Sequence, residues 1–540
     1  MDFTESDLDF FAEVVEEIDD VWLQARVADV LWTVRRKLGT RMALIAVDAY
    51  RAIPLDHDTW IHDGGNCWKR ALRLGAMLRT DAGDRLVEME GAILASFKRA
   101  GLDEGFLALW MAELLFENGL GKSEAEGIAD RLAACANELE LMKDIYKARA
   151  YFGHALRWYR ALGKNAQTTE MAVRLAENWV KSAEERLESK DPSHLVAAGF
   201  YEKAIQIYRT IPHASRPMHK VNERMEELRI RMTESGERSL GEMGHFSTDP
   251  VDISKIVMQA CAGVSGKDFL EALAAFVNHT RGVEVEKLKA EATKAMARFP
   301  LQAMLSSTHV SGDGRVIARS NGSSPGEESL AEPGTALWDQ MLKHYMLGIA
   351  LKVQGEILPA LEVLNLEHRL LLEDFVRIAQ HSPIVPPGRE TLWGVGLRSG
   401  FEGDFGTAVH LISPQIEGMV RFHLKNAGVK TTNLDRDGIE NEIGLSNLME
   451  LAEVESIFGK DLAFEFKALF CDATGPNLRN EVAHGLLDDS IFRSTAAVYA
   501  WWLALKLAFN PFWNLARKAR ASTEEPSEAD IKSRDRREPN

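Results

Sequence analysis

FFAEVVEEIDDVWLQARVADVLWTVRRKL, residues 10–38, decides the fold class. Phe10, Val14, Val15, Ile18, Val21 and Trp22 recur at three- and four-residue intervals, the spacing of one face of an α-helix and not the alternation of a strand. The same period runs through most of the chain, so the expected class is all-α. A Pro/His/Gly-rich break, RAIPLDHDTWIHDGGN (51–66), interrupts it before it resumes at Trp68, and Gly119 and Gly121 punctuate it again.

Further along, helices come in pairs. YFGHALRWYRALGK (151–164) and AGFYEKAIQIYRTIP (198–212) each carry an aromatic, a small residue and a Tyr at similar offsets, followed by a turn. The pattern resembles tetratricopeptide helical hairpins, in which small residues let two helices approach and neighbouring pairs share a core. Only two units are visible, so ordinary helix pairs remain the alternative. The expected order is an N-terminal helical domain over 1–133, then a repeat-like region over 134–235. A polar Gly- and Pro-containing linker follows at 236–252.

A helical connecting domain spans 253–380. It includes HVSGDGRVIARS (309–320), where Asp313-Gly314 between short β-prone runs predicts a small β-hairpin near 308–319. NGSSPGEESLAEPG (321–334) reads as a surface loop. Pro383, Pro386 and Pro387 stiffen the entry to a last helical domain, 383–519. The tail 520–540 is almost without apolar residues and is expected to be disordered.

Composition bounds the function. The 540 residues are 46% hydrophobic and 27% charged, which excludes collagen-like, wholly disordered and disulfide-stapled chains. That length suits about three to four domains. With 64 Lys/Arg against 81 Asp/Glu the formal charge is −17, so nucleic acid does not coat the whole surface, although one local basic pocket is compatible with it. Cys67, Cys135, Cys261 and Cys471 are scattered without a CxxC pair and read as thiols in a reducing compartment. The acidic start MDFTESDLDF lacks a secretory pattern, so the expected location is cytoplasmic. AAVYAWWLALKLAF (496–509) is shorter than the roughly 20 residues of a span and holds Lys506; a buried helix is expected, and no membrane span.

Four motifs are set aside. Gly322 to Gly326 matches G-x-S-x-G but stands in a polar loop of a helical chain. Gly263 to Lys267 evokes a phosphate loop, yet Cys261 and Asp268 replace its first Gly and its Ser/Thr. Gly394-Val395-Gly396 lacks the third dinucleotide-binding glycine. Asp56, His57, Asp58, His62 and Asp63 have metal-ligand atom types but sit in a Pro/Gly-bounded loop without a second ligand pair. No metal and no cofactor is expected.

Chemistry concentrates in CDATGPNLRNEVAHGLLDDSIFRSTAAVYAWW (471–502). Gly475-Pro476-Asn477 is a helix start, Gly485 a helix stop, and Asp488 or Asp489 can cap the next helix. Arg479 then falls in the first turn of a short helix, where free N–H groups favour an anion, and its guanidinium can fork onto a phosphate. His484 can move a proton near neutral pH, and Asn480 can orient either the imidazole or a phosphate oxygen. Metal-free RNA cleavage needs these types: one group takes the ribose 2′-OH proton, one stabilises charge on phosphorus oxygens, one protonates the leaving 5′ oxygen. One His does not serve both transfers, and a two-fold homodimer would supply the second.

Arg479-Asn480-x-x-x-His484 followed by Gly485, in a helical C-terminal domain, resembles the HEPN family (higher eukaryotes and prokaryotes nucleotide-binding), whose ribonucleases carry R-x4-6-H. PPGRETLWGVGLRSGFEGDFGTAVH (386–410), AVHLISPQIEGMVRFHLKNAGV (408–429), LDRDGIE (434–440) and NLRNEVAHGLL (477–487) extend the resemblance to the C-terminal domain of the endoplasmic reticulum membrane-associated RNA degradation proteins, across 383–519. The resemblance implies Arg479 and His484 as catalytic pair with Asn480 assisting. RNA is the implied substrate, with 2′,3′-cyclic phosphate ends as product and a toxin or antiviral-defence role. Glu417 and Arg421, at i,i+4, are second-tier cleft residues or else a helix-surface ion pair. Arg493 faces the cleft or solvent. Glu481 must point away from a phosphate, and 14 Lys/Arg against 17 Asp/Glu over 383–520 make no basic platform.

Two further readings stay open. In one, an inert domain dimerises through Trp501, Trp502 and Phe509 of its last helix while the N-terminal helices dock a protein partner. In the other, the Arg479 helix binds a nucleotide without cutting.

Overall fold

Side-chain caps start the first two helices. Glu5–Val14 opens on a capping box, the Thr4 hydroxyl accepting from the Asp7 N–H and the Asp7 carboxylate taking the Thr4 N–H at 2.8 Å. Asp20 caps Val21–Val34 by accepting from the Leu23 N–H at 2.8 Å. Leu8 and Val15 are buried and Phe11 and Ala12 pack partly against the same core, so the inward face of this helix runs through 8, 11, 12 and 15 and leaves Phe10 exposed on the opposite side.

The computed structural model describes residues 3–244, 250–323 and 331–524. Residues 324–330, half of the loop 321–334 and with them Ser324 and Gly326 of the G-x-S-x-G match, lie outside the described residues, as does the tail beyond 524. Helix dominates. Among the described residues the only sheets are two antiparallel strand pairs. Ser307–Val310 pairs with Val316–Ser320, with a register shift between His309 and Val310, and this is the predicted hairpin. Thr432–Leu434 pairs with Glu440–Glu442, a hairpin the helical reading did not anticipate.

The chain divides into two units, one of residues 1–244 with the turn 312–315, the other of residues 245–311 and 316–540. In the first, a single core runs from Leu8 to Leu228, so residues 1–133 and 134–235 draw on one hydrophobic cluster. Ala125–Leu141, Ile145–Ala161, Asn165–Glu188, His194–Arg209 and Val221–Ser239 each pack on the next. Buried Ala155 and Ala204 allow the approach. The matched tyrosines do matched work: Tyr159 donates to Asp130 at 2.6 Å and Tyr208 donates to Glu177, in each case an acid on the immediately preceding helix.

The second unit is built around Thr495–Glu524. Tyr499, Trp501 and Trp502 are fully buried. The Trp501 indole N–H donates to the Leu397 carbonyl at 2.8 Å. A Cβ on Gly400 would stand 2.3 Å from the Trp501 ring, so glycine is what lets Glu390–Phe401 meet this helix. Phe509 is buried too, so the three aromatics expected to drive a dimer are spent on the unit's own core. The helix runs past the expected end at 519 to Glu524, continued by the helix-forming residues Ala and Arg. No helix among the described residues is long and apolar enough to cross a membrane.

Candidate functional site

The motif helix is placed by a short, tightly bonded turn. Asp472 accepts from the Thr474 N–H at 2.8 Å and hydroxyl at 2.6 Å, while its other oxygen accepts from the Trp338 indole at 2.7 Å. A Cβ on Gly475 would lie 2.4 Å from the Ala468 carbonyl oxygen, a separation only glycine permits. Leu478–His484 then runs for seven residues between Asn477 and Gly485, both left-handed, with φ of 50° and 64°. The start and stop fall where the sequence puts them. The Asn477 side chain does not cap the helix, however; its Oδ1 accepts from Asn480 Nδ2 at 2.7 Å. Asp488 caps the following 3-10 turn Asp489–Arg493, accepting from the Ser490 N–H at 2.9 Å.

Arg479, Asn480, Glu417 and Arg421 come together. Arg479 Nε donates to Glu417 Oε2 at 2.6 Å, and Arg421 Nη2 donates to Glu417 Oε1 at 2.7 Å and to the Ile443 carbonyl at 2.6 Å. Arg421 also pairs with Glu442 at 2.9 Å, and Glu442 with Lys425. Glu417 sits in the helix Phe405–Asn426, one turn beyond Pro414, with 13% of its side chain exposed. Burial works against its charge, but the hydrogen bonds from Arg479 and Arg421 outweigh burial and hold its carboxyl below the usual range. Three cations therefore surround two carboxylates, a locally positive cluster inside an acidic domain.

Arg479 is fixed on one side and open on the other. Nη1 donates to Asn480 Oδ1 at 3.2 Å. Nη2 lies against Gly444, 3.4 Å from where a Cβ would stand, and makes no hydrogen bond among the described residues. Burial pushes the neighbouring Cys471 thiol up to about 12, so it stays protonated and inert at neutral pH.

His484 is not drawn into this network. It is exposed at the end of its helix and makes no hydrogen bond or ion pair among the described residues. The helical period turns it about 140° from Arg479 and onto the face of Asn480, four residues back. Glu481 lies on the side opposite Arg479 by the same period. Arg493 is exposed.

The expectations missed Glu442, Lys425 and the Ile443 carbonyl. Asp437-Gly438 between TTNL and IENE is the hairpin signal that could have found the strand carrying Glu442. Also missed is a cluster in which Ser307, Ser320 and His309 all reach Asp339. Both serines and the carboxylate meet the same imidazole nitrogen, Nε2, which leaves no relay from acid through His to Ser.

Motifs set aside have their own partners. Ser265 Oγ and the Gly266 N–H both donate to Glu367, at 2.6 and 2.8 Å, so a side chain occupies the loop that evoked phosphate binding. His57 stacks on Trp110 with ring centres 5.8 Å apart, and the His62 ring meets the Asp58 carbonyl at 2.7 Å. Among the described residues no three His, Cys, Asp or Glu side chains gather as a metal-holding group.

No curated protein and no solved structure matches the chain. Residues 1–86 match a family model described as Domain of unknown function (DUF7380).

Proposed function

We propose that residues 383–519 form a HEPN-type endonuclease domain that cuts RNA without a metal ion. One observation carries this: Glu417 grips Arg479 through Nε while Nη2 stays free, on a helix that ends in an exposed, unpaired imidazole. An arginine held this way presents a fixed donor to a phosphate oxygen at no cost in ordering its side chain. His484, in solvent contact and unbonded, can exchange a proton with a ribose 2′-OH or a leaving oxygen. The 2′ oxygen would displace the 5′ oxygen at phosphorus, the lost 2′ proton being balanced by one delivered to the 5′ oxygen, which leaves a 2′,3′-cyclic phosphate and a 5′-OH.

A second chain, presenting another His484, would supply the second proton-transfer group. Because Trp501, Trp502 and Phe509 are core, that homodimer must use another face of the domain. The N-terminal helical region, residues 1–235, would be the arm that meets a protein partner, and a toxin or defence effector in the cytoplasm is the setting this chemistry suits.

The test is RNA digestion in EDTA by the wild type, His484→Ala and Arg479→Ala. Fragments with cyclic-phosphate ends from the wild type alone are expected. Cleavage that survives His484→Ala, or that needs Mg²⁺, would falsify the mechanism. RNA left intact by all three, with no growth arrest on expressing the wild type, favours the scaffold reading.

A further inference from the structure

The second unit contains a cleft of about 450 Å³ that shares no residue with the Arg479 network. Leu462, Leu503, Leu507 and Ile384 form its apolar wall, and Glu465 its deepest polar group. Glu465 is only 4% exposed. Its Oε1 is fully used, accepting from Tyr499 at 2.6 Å and from Tyr345 at 3.3 Å. Its Oε2 has no hydrogen bond among the described residues. That oxygen faces the cleft: a Cβ on Gly282, itself a lining residue, would stand 3.8 Å from it.

The nearby cations do not satisfy Oε2. Lys506 Nζ donates to the Thr280 carbonyl at 3.0 Å and lies 4.8 Å from the centre of the Trp502 ring. Lys352 Nζ donates to the Arg281 carbonyl at 2.7 Å. Both lysines therefore hold the backbone at Thr280 and Arg281, and neither pairs with the carboxyl. Burial raises the Glu465 carboxyl even against the hydrogen bond from Tyr499 and the charge of Lys352. Oε2 is not sealed in the interior but opens onto the cleft, so a ligand entering there can give it the donor that no side chain supplies.

We infer that the cleft binds an aliphatic primary amine, its ammonium on Glu465 Oε2 and its alkyl chain along Leu503 and Leu507. The charged lining residues are the carboxylates Glu284, Asp461 and Glu465 against the cations Arg281 and Lys506, a surplus of one negative charge that favours an ammonium over a carboxylate ligand. The alkyl wall selects a chain over a compact cation.

The experiment is calorimetric titration of the full-length protein with hexylamine, hexan-1-ol and hexanoate. Hexylamine is expected to bind at least about ten-fold tighter than hexan-1-ol, the worth of one charge-assisted hydrogen bond, and hexanoate not to bind. Glu465→Gln should erase the preference for the amine. Leu507→Trp, a change in the partly exposed wall, should block the cleft and abolish binding even where Glu465→Gln fails to fold. Absence of hexylamine binding to the wild type overturns the inference. So does a preference that survives Glu465→Gln, or amine binding untouched by Leu507→Trp.

Discussion

Glu417 carries one arginine on each carboxylate oxygen, which makes it the residue on which the Arg479 network depends. Its depressed folded-state value fixes the sign of its contribution. Stability from Glu417 is present above the ordinary carboxylate range and is lost as pH falls through the folded value. Glu417→Gln should cost roughly 1.5–3 kcal/mol near neutral pH, the range for hydrogen bonds to charged groups. The gap between variant and wild type should narrow as pH falls below the ordinary carboxylate range, and urea unfolding at neutral and at acid pH checks this. A gap that is equal at both would mean that the pair adds nothing electrostatic. His484→Ala makes the contrast: an exposed, unpaired side chain should change stability by no more than about 0.5 kcal/mol. Loss of RNA cutting in that variant, with the urea midpoint unmoved, separates chemistry from folding. The local motif was legible because Arg479, Asn480 and His484 lie within six residues. The Glu417–Arg479 bond joins residues 62 apart in sequence, and no period or spacing announces such a pair.

At the scale of elements, the seven-residue helix Leu478–His484 gains little from its own hydrogen bonds and depends on its flanks. Its boundaries were readable because Gly475-Pro476-Asn477 and Gly485 are local signals with local causes. What they do is less readable: Asn477 uses its side chain on Asn480, and Gly475 is required by a carbonyl seven residues upstream. Gly475→Ala should therefore force the turn apart, destabilising the second unit by about 1–3 kcal/mol as overpacking does. It should also lower RNA cutting, since Arg479 and its helix would shift relative to Glu417. Hydrogen exchange of the amides over 478–485 is the direct check: faster exchange in Gly475→Ala with the final helix unchanged is expected. Unchanged exchange would show that the Ala468 carbonyl gives way. The Thr432–Leu434/Glu440–Glu442 hairpin escaped the helical reading for a related reason. Three-residue strands are too short for alternation to stand out, and only Asp437-Gly438 marked the turn.

For the whole molecule, the deciding fact is that the buried residues form two clusters. One runs from Leu8 to Leu228, the other from Ala260 to Phe509. A core is the unit of cooperative unfolding, so two separate cores allow two transitions. Trp68 anchors the first, 2% exposed, with its indole N–H donating to the Ile53 carbonyl at 2.9 Å. Trp501 anchors the second in the same manner through Leu397. Each Trp→Ala change removes a large buried side chain and should cost about 3–5 kcal/mol. Scanning calorimetry should resolve two transitions, Trp68→Ala lowering one and Trp501→Ala lowering the other, each by several degrees. RNA cutting after mild heating should follow the transition that Trp501→Ala moves, because Arg479 and His484 belong to that unit. A single transition displaced equally by both substitutions would mean that the two clusters melt as one, and that the arm and the candidate site cannot be uncoupled by stability alone.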